Sequence, residues 1–262
     1  MLKSLLTAEE AMQREQIKLD VLANNLANVN TTGFKQTLTS VQQLATRSVV
    51  GRVPDSTPSS SVAEPRPNRA ATQWSTERPV QMRMIVDPRP GQLRQTGRET
   101  DLAIVGRGLF VVKTAGGDLY TRNGQFRLDG DGRLVTAQGL AVQGARGDIV
   151  VDGRSLTIDR DGSIVVDGER IDELRVVQLA DLTKLEHRGD SLLSPPQDVE
   201  LQEMPREQIE LLQGHLESSN VSAIESLIDM IAAQRAFEVK AKLLSTADEM
   251  LAKSVNQLPA NR

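Results

Sequence analysis

The sequence predicts an α+β fold: long N- and C-terminal helices pack as a coiled-coil-like terminal domain, with an inserted antiparallel β-domain between them. Three observations predict it. Residues 2–30 and 222–258 contain no glycine or proline and repeat apolar residues every seven positions, the pattern of a helix that buries a seam against another helix. From Asp101 to about Ala180 the pattern changes to short runs rich in Val, Ile, Leu and Thr, separated by Asn-Gly and Asp-Gly pairs. Neither terminal helix can bury its own seam, so the two ends must meet, within the chain or in a many-chain assembly.

The first element is a helix within a terminal segment 1–36. Leu5, Met12, Leu19 and Leu26 form its seam, flanked by Leu2, Leu22 and Val29. Its end reads "LANNLANVNTTGFK", which places Asn24, Asn25, Asn28 and Asn30 where Lys, Glu or Gln would serve a helix better. An amide donates and accepts at once, so Asn24, Asn25 and Asn28 on the flank of the seam are expected to serve neighbouring chains and fix register. "TTG" is the stop signal, with Gly33 expected in the C′ position at positive φ.

Residues 37–90 read as an extended linker, rich in Pro and Ser from 47 to 79 and without an apolar period. Residues 91–205 hold the β-domain, with strands expected at "DLAIV", "LFVVK", "LYTR", "QFRL", "RLVT", "SLTI", "SIVV" and "LRVVQL". Two-residue hairpin turns are expected at Asn123-Gly124, Asp129-Gly130, Asp131-Gly132, Asp152-Gly153, Asp161-Gly162 and Asp167-Gly168. Residues 206–262 carry the second helix. Ser218, Ser219 and Asn220 offer N-cap chemistry, and Met230, Phe237, Leu244, Leu251 and Leu258 form the seam. The two helices would be about 44 and 55 Å long.

Composition narrows the function. A net charge of −4 gives no field for nucleic acid. The absence of cysteine removes disulfides, thiolate metal sites and cysteine nucleophiles. The N-terminus has too short an apolar stretch before Glu9 and Glu10 for a cleaved signal peptide, and no run is long enough to span a membrane. His187 and His215 are the only imidazoles, too few for a multi-histidine metal site, and each reads as a solvated loop or helix-end residue. "DGDGR" at 129–133 lacks the later ligands of a calcium loop and reads as a turn, and the glycines of "GRGLF" precede a strand where a nucleotide site needs a helix. No enzyme activity, catalytic residue, metal or cofactor is expected.

"LANNLANVNTTGFK" paired with "LESSNVSAIESLIDMIAAQRAFEVKAKLLSTADEML" resembles the two terminal signatures of the bacterial flagellar axial proteins, the rod and hook family. "GQLRQTGRETDLAIVGRGLFVV" followed by "YTRNGQFRLDGDGRLVTAQG" resembles that family's central β-domain. The three motifs stand in the family's order. The length is similar to that of a rod member, and "RPGQLRQTG" and "TADEM" resemble the proximal rod type, with the distal type next. The resemblance implies a structural subunit of the basal-body rod in the periplasm, exported by the flagellar type III apparatus without signal cleavage. It implies helical polymerisation with copies of itself and with neighbouring rod or hook proteins, forming a drive shaft and export channel. No nucleic acid and no direct membrane insertion are implied. The assembly residues it implies are the seam and amide positions named above, with Gly33, Phe34 and Asn220. The other reading is a monomeric β-rich binding or adhesin module with helical tails, which would stack sugars on exposed aromatics; Phe110, Tyr120 and Phe126 have spacings that suit a core instead.

Overall fold

The computed structural model describes residues 2–43 and 80–256, apart from positions 154, 180, 181, 190, 197, 198 and 200. The chain forms two units, residues 1–39 with 84–262 and residues 40–83. The smaller unit is described only at its ends, in the outer parts of two paired strands, Thr37–Gln43 and Val80–Val86. Both strands fall in the stretch read as a linker, whose Pro- and Ser-rich part lies outside the described residues.

Long helices flank a central antiparallel β-domain, as the seams and the change of period between them predict. Helix α1 is Leu2–Ala27 and α2 is Ala223–Asn256. They pack against each other antiparallel, tied part-way along by Lys240 Nζ to Glu15 Oε1 at 2.6 Å. The end of α1 differs from expectation. The Asn28 amide donates to the Asn24 carbonyl at 2.9 Å and closes the last turn, so the helix ends at Ala27 and Gly33 is not its C′ residue. Gly33 is at positive φ, 66°, for a tertiary reason given below. The cap of α2 also moves. Ser222, not 218–220, accepts the Glu225 N–H at 3.4 Å, in the Ser-x-x-Glu spacing of a capping box.

The largest sheet runs Glu186–His187, Leu192–Ser194, Gly117–Thr121, Leu109–Thr114, Val176–Gln178, Gln202–Glu203, antiparallel throughout. Its strand Leu109–Thr114 shows the two-residue period directly. Phe110 and Val112 enter one apolar cluster, with Leu134, Val142 and Ile164, while Leu109 and Val111 enter a second, with Leu185 and Leu193. Burial on both faces explains why "LFVV" is uninterrupted by polar residues. Phe110 and Phe126 meet edge to face at 5.2 Å inside the first cluster, so neither is a surface platform for a sugar.

Of the six expected hairpin turns, only Asp167-Gly168 is a two-residue turn, with φ of 50° and 88° between Ser163–Val166 and Glu169–Glu173. Asp129-Gly130 and Asp131-Gly132 share one longer loop, closed by the Asp129 carboxylate, which accepts from the backbone N–H of Asp131 and Arg133. That carboxylate lies below its usual range, chiefly through the Arg133 N–H bond, and its acceptors are occupied from within the turn. Asp161-Gly162 ends a four-residue loop. Asn123-Gly124 and Asp152-Gly153 connect strands that do not pair with each other. The β-domain also continues past 205. Leu211–Gln213 pairs with Leu102–Ile104, and His215–Glu217 pairs with Leu93–Gln95, which brings the chain back to the start of the domain just before α2.

Candidate functional site

The sequence singles out the junction where both helices enter the β-domain, and the structure concentrates buried polar groups there. After α1 the chain turns through Gly33, whose N–H donates to the Glu217 carbonyl at 2.7 Å. A Cβ at Gly33 would lie 2.3 Å from the Asn123 nitrogen and 2.4 Å from the Arg122 carbonyl carbon, so only glycine fits. Phe34 is buried and stacks on His187 at 5.2 Å. Lys35 reaches inward and donates to Glu217 Oε1 at 2.6 Å and to the Arg89 carbonyl at 2.8 Å.

Glu217 is 1% exposed and is the hub. Besides Lys35 it accepts Arg122 Nε at 2.5 Å and the Gly91 N–H at 2.8 Å. Burial alone would raise its carboxyl, but the Arg122 and Lys35 cations beside it hold it below its usual value. Arg122 directs its other N–H groups to the carbonyls of Ile104, Gly106 and Gly108. Two amides complete the junction. Asn25 accepts the Thr37 N–H at 2.9 Å and donates to the Thr37 carbonyl at 2.8 Å, acting as a short piece of strand. Asn220 accepts the Gln36 N–H at 2.7 Å and donates to the Arg89 carbonyl at 3.0 Å.

The expected assembly residues therefore divide. Asn25, Gly33, Phe34 and Asn220 converge on this intrachain junction, and Asn28 closes its own helix. The amides of Asn25 and Asn28 bond within the chain, where orphan backbone groups lie closest to them. Asn24 is exposed. Met12, Leu19, Leu26, Met230, Phe237 and Leu244 are half-buried, recurring on the sides where α1 and α2 meet. Leu5 and Leu251 fall within the two helices, and Leu258 lies outside the described residues. His187, expected in solvent, is largely buried against Phe34, and that burial lowers its ring below the ordinary histidine value.

Two features escaped the sequence reading. The triad Lys35, Arg122 and Glu217 joins residues too distant in sequence for any spacing rule to link. The second is an apolar stripe on the side of α2 that α1 leaves uncovered: Ile224, Leu227, Ile228, Ile231, Val239 and Leu243 are all exposed, Ile224 by 73% and Ile228 by 61%. The three- and four-residue spacing of Ile224, Leu227, Ile228 and Ile231 was the available signal, hidden beside the stricter heptad of the seam.

A cavity of about 390 Å³ lies beside the junction, floored by Val86, Leu109, Leu179, Leu185 and Leu193, but Lys35 and Arg122 at its edge are already bonded within the chain. Among the described residues no group of three or more His, Asp or Glu could hold a metal ion, and no helix is long and apolar enough to cross a membrane.

Comparison with known proteins matches three parts of the chain to family models. Residues 5–35 match the flagella basal body rod protein model, 103–166 the flagellar hook protein FlgE/F/G D1 domain, and 212–258 the flagellar basal body rod FlgEFG protein C-terminal model. These cover most of α1, most of the main β-cluster, and α2 with nearly all of the two returning strands. The flagellar basal-body rod protein FlgG of Agrobacterium fabrum is 33% identical, with 95% of this chain and 97% of the relative covered. FlgG of Bacillus subtilis is 32% identical over 98% of this chain and 99% of its own, and FlgF of Caulobacter vibrioides is 32% identical over 97% and 95%. The identities extend over nearly the whole length and the models fall on the very elements that meet at the junction, so the chain belongs to the flagellar basal-body rod and hook family, as a structural component of the flagellar axis.

Proposed function

We propose that this chain polymerises helically with copies of itself and with neighbouring rod or hook proteins, through its terminal helices, to form a segment of the flagellar drive shaft and of the channel within it. It reaches the periplasmic rod through the flagellar type III export apparatus and keeps its N-terminus on the way. The observation that carries this reading is the exposed stripe of α2. A helix whose other side is already paired still presents a row of large apolar residues, and such a row favours burial at about 25 cal/mol for each Å² removed from water. Contacts that repeat from subunit to subunit on a helix are heterologous, and tight heterologous contacts pass torque along the shaft.

The test is the double variant Ile228→Asp, Ile231→Asp. In the monomer both positions face water, so the thermal transition should stay where it is. In a polymer each would bring an unpaired carboxylate into a dry contact, a cost of several kcal/mol at every neighbour. The expected result is a folded, exported subunit, no completed rod and non-motile cells. Normal basal bodies around the double variant would refute the proposal. Leu244→Asp is a less clean probe, because Leu244 is half-buried where the helices of one chain meet.

A further inference from the structure

We infer that Glu217 is the positioning residue of a rigid joint, which with Lys35, Arg122 and Asn220 fixes the direction in which the paired helices leave the β-domain. The inference rests on the axial reading above but concerns a different part of the molecule. One carboxylate gathers Lys35 from the turn that follows α1, Arg122 from the edge of strand Gly117–Thr121 and the Gly91 N–H from the approach to Leu93–Gln95, while its own residue stands just ahead of α2. The three charged side chains are 6%, 4% and 1% exposed, so water does not loosen the bonds. Arg122 extends the grip to the loop carbonyls at 104, 106 and 108, and Asn220 ties the backbone of 36 to that of 89. The segments also touch main chain to main chain: a Cβ at Gly91 would fall 1.9 Å from the Ser218 carbonyl oxygen.

The kind of bond matters. Apolar contacts would hold these segments together at least as well as a buried ion cluster does, but they have no preferred direction. Hydrogen bonds to charged groups are directional and short, so a cluster of them at a junction sets an angle. Load applied to the helix pair then passes into the β-domain without a swivel between them.

The test measures that angle in the monomer, independently of polymerisation. The chain has no native cysteine, so spin labels at Arg235→Cys on α2 and Arg127→Cys on the β-domain, both exposed, report a single distance. The parent chain should give one narrow distribution. Glu217→Gln leaves two buried cations without their anion and should broaden it about twofold or more. Ile164→Val, a destabilising change in the β-core, should leave the width unchanged. Adding Lys35→Met to Glu217→Gln removes one stranded charge and lets the Gln carbonyl accept Arg122, so the distribution should narrow again. If Glu217→Gln does not fold, Lys35→Met alone should broaden the same distance. Parental width in the Glu217→Gln or Lys35→Met single variant, or equal broadening by Ile164→Val, would overturn the inference. Failure of the α2 stripe variants to block rods would remove the assembly reading and leave this measurement untouched.

Discussion

Gly33→Ala adds one methyl group, and its cost can be worked from the structure. The residue sits at φ 66°, where an alanine is strained by about 1–2 kcal/mol. The new Cβ would lie 2.3 Å from the Asn123 nitrogen, 2.4 Å from the Arg122 carbonyl carbon and 2.6 Å from its oxygen, all backbone atoms that cannot rotate away. The 31–36 turn must therefore back off by about an ångström, an overpacking cost of about 1–3 kcal/mol. That movement stretches the 2.7 Å bond from the Gly33 N–H to the Glu217 carbonyl, a further loss of about 1 kcal/mol. The total is about 3–6 kcal/mol, a large part of the roughly 5–15 kcal/mol that holds a typical domain folded. Gly168→Ala is the control. Its φ is 88° but nothing lies within 4 Å of the added Cβ, so it should lose only the backbone strain of about 1–2 kcal/mol. Equilibrium urea unfolding of both variants gives the comparison. If Gly33→Ala falls within about 1 kcal/mol of Gly168→Ala, the close approach at the junction carries no energy and the reasoning fails.

His187 gives a pH dependence whose sign follows from its lowered ring value. Above pH 6.5 the ring is neutral in both states and contributes nothing; as the pH falls below 6.5 the unfolded chain takes up a proton that the folded chain resists, so stability drops until the lowered folded value is passed. His187→Phe keeps a ring on Phe34 and removes the proton, so its urea midpoint should change less than the parent's between about pH 7 and about pH 5; an unchanged slope would assign the dependence to other groups. Asn25→Ala strands both backbone groups of Thr37 and should cost about 1–3 kcal/mol in urea unfolding, whereas Asn24→Ala, at an exposed site, should stay within about 0.5 kcal/mol. Equal effects at the two neighbours would show that the cluster acts only through helix propensity.

The sequence by itself determined the two helices, the change of period between them, about half the strands of the β-domain and the family. All of these rest on near-neighbour patterns: a heptad is written within one helix, and alternation within one strand. It also marked "LANNLANVNTTGFK" as a stretch whose polar residues need an explanation. What those residues bond to was decided by tertiary structure alone. Asn25 finds its partner twelve positions away, beyond the last turn of its helix, and Asn220 finds Gln36 and Arg89. The last two strands, 211–213 and 215–217, were missed because their partners, 102–104 and 93–95, lie more than a hundred residues earlier and their own composition is half polar. The turn pairs were over-read for a related reason. Asn-Gly and Asp-Gly permit a tight hairpin, but whether the flanking strands pair depends on the sheet to which each is assigned. The triad is the clearest case: Lys35, Arg122 and Glu217 are unremarkable surface residues in one dimension, and only a fold that brings the two ends of the chain back to one place can bury them as a single bonded cluster.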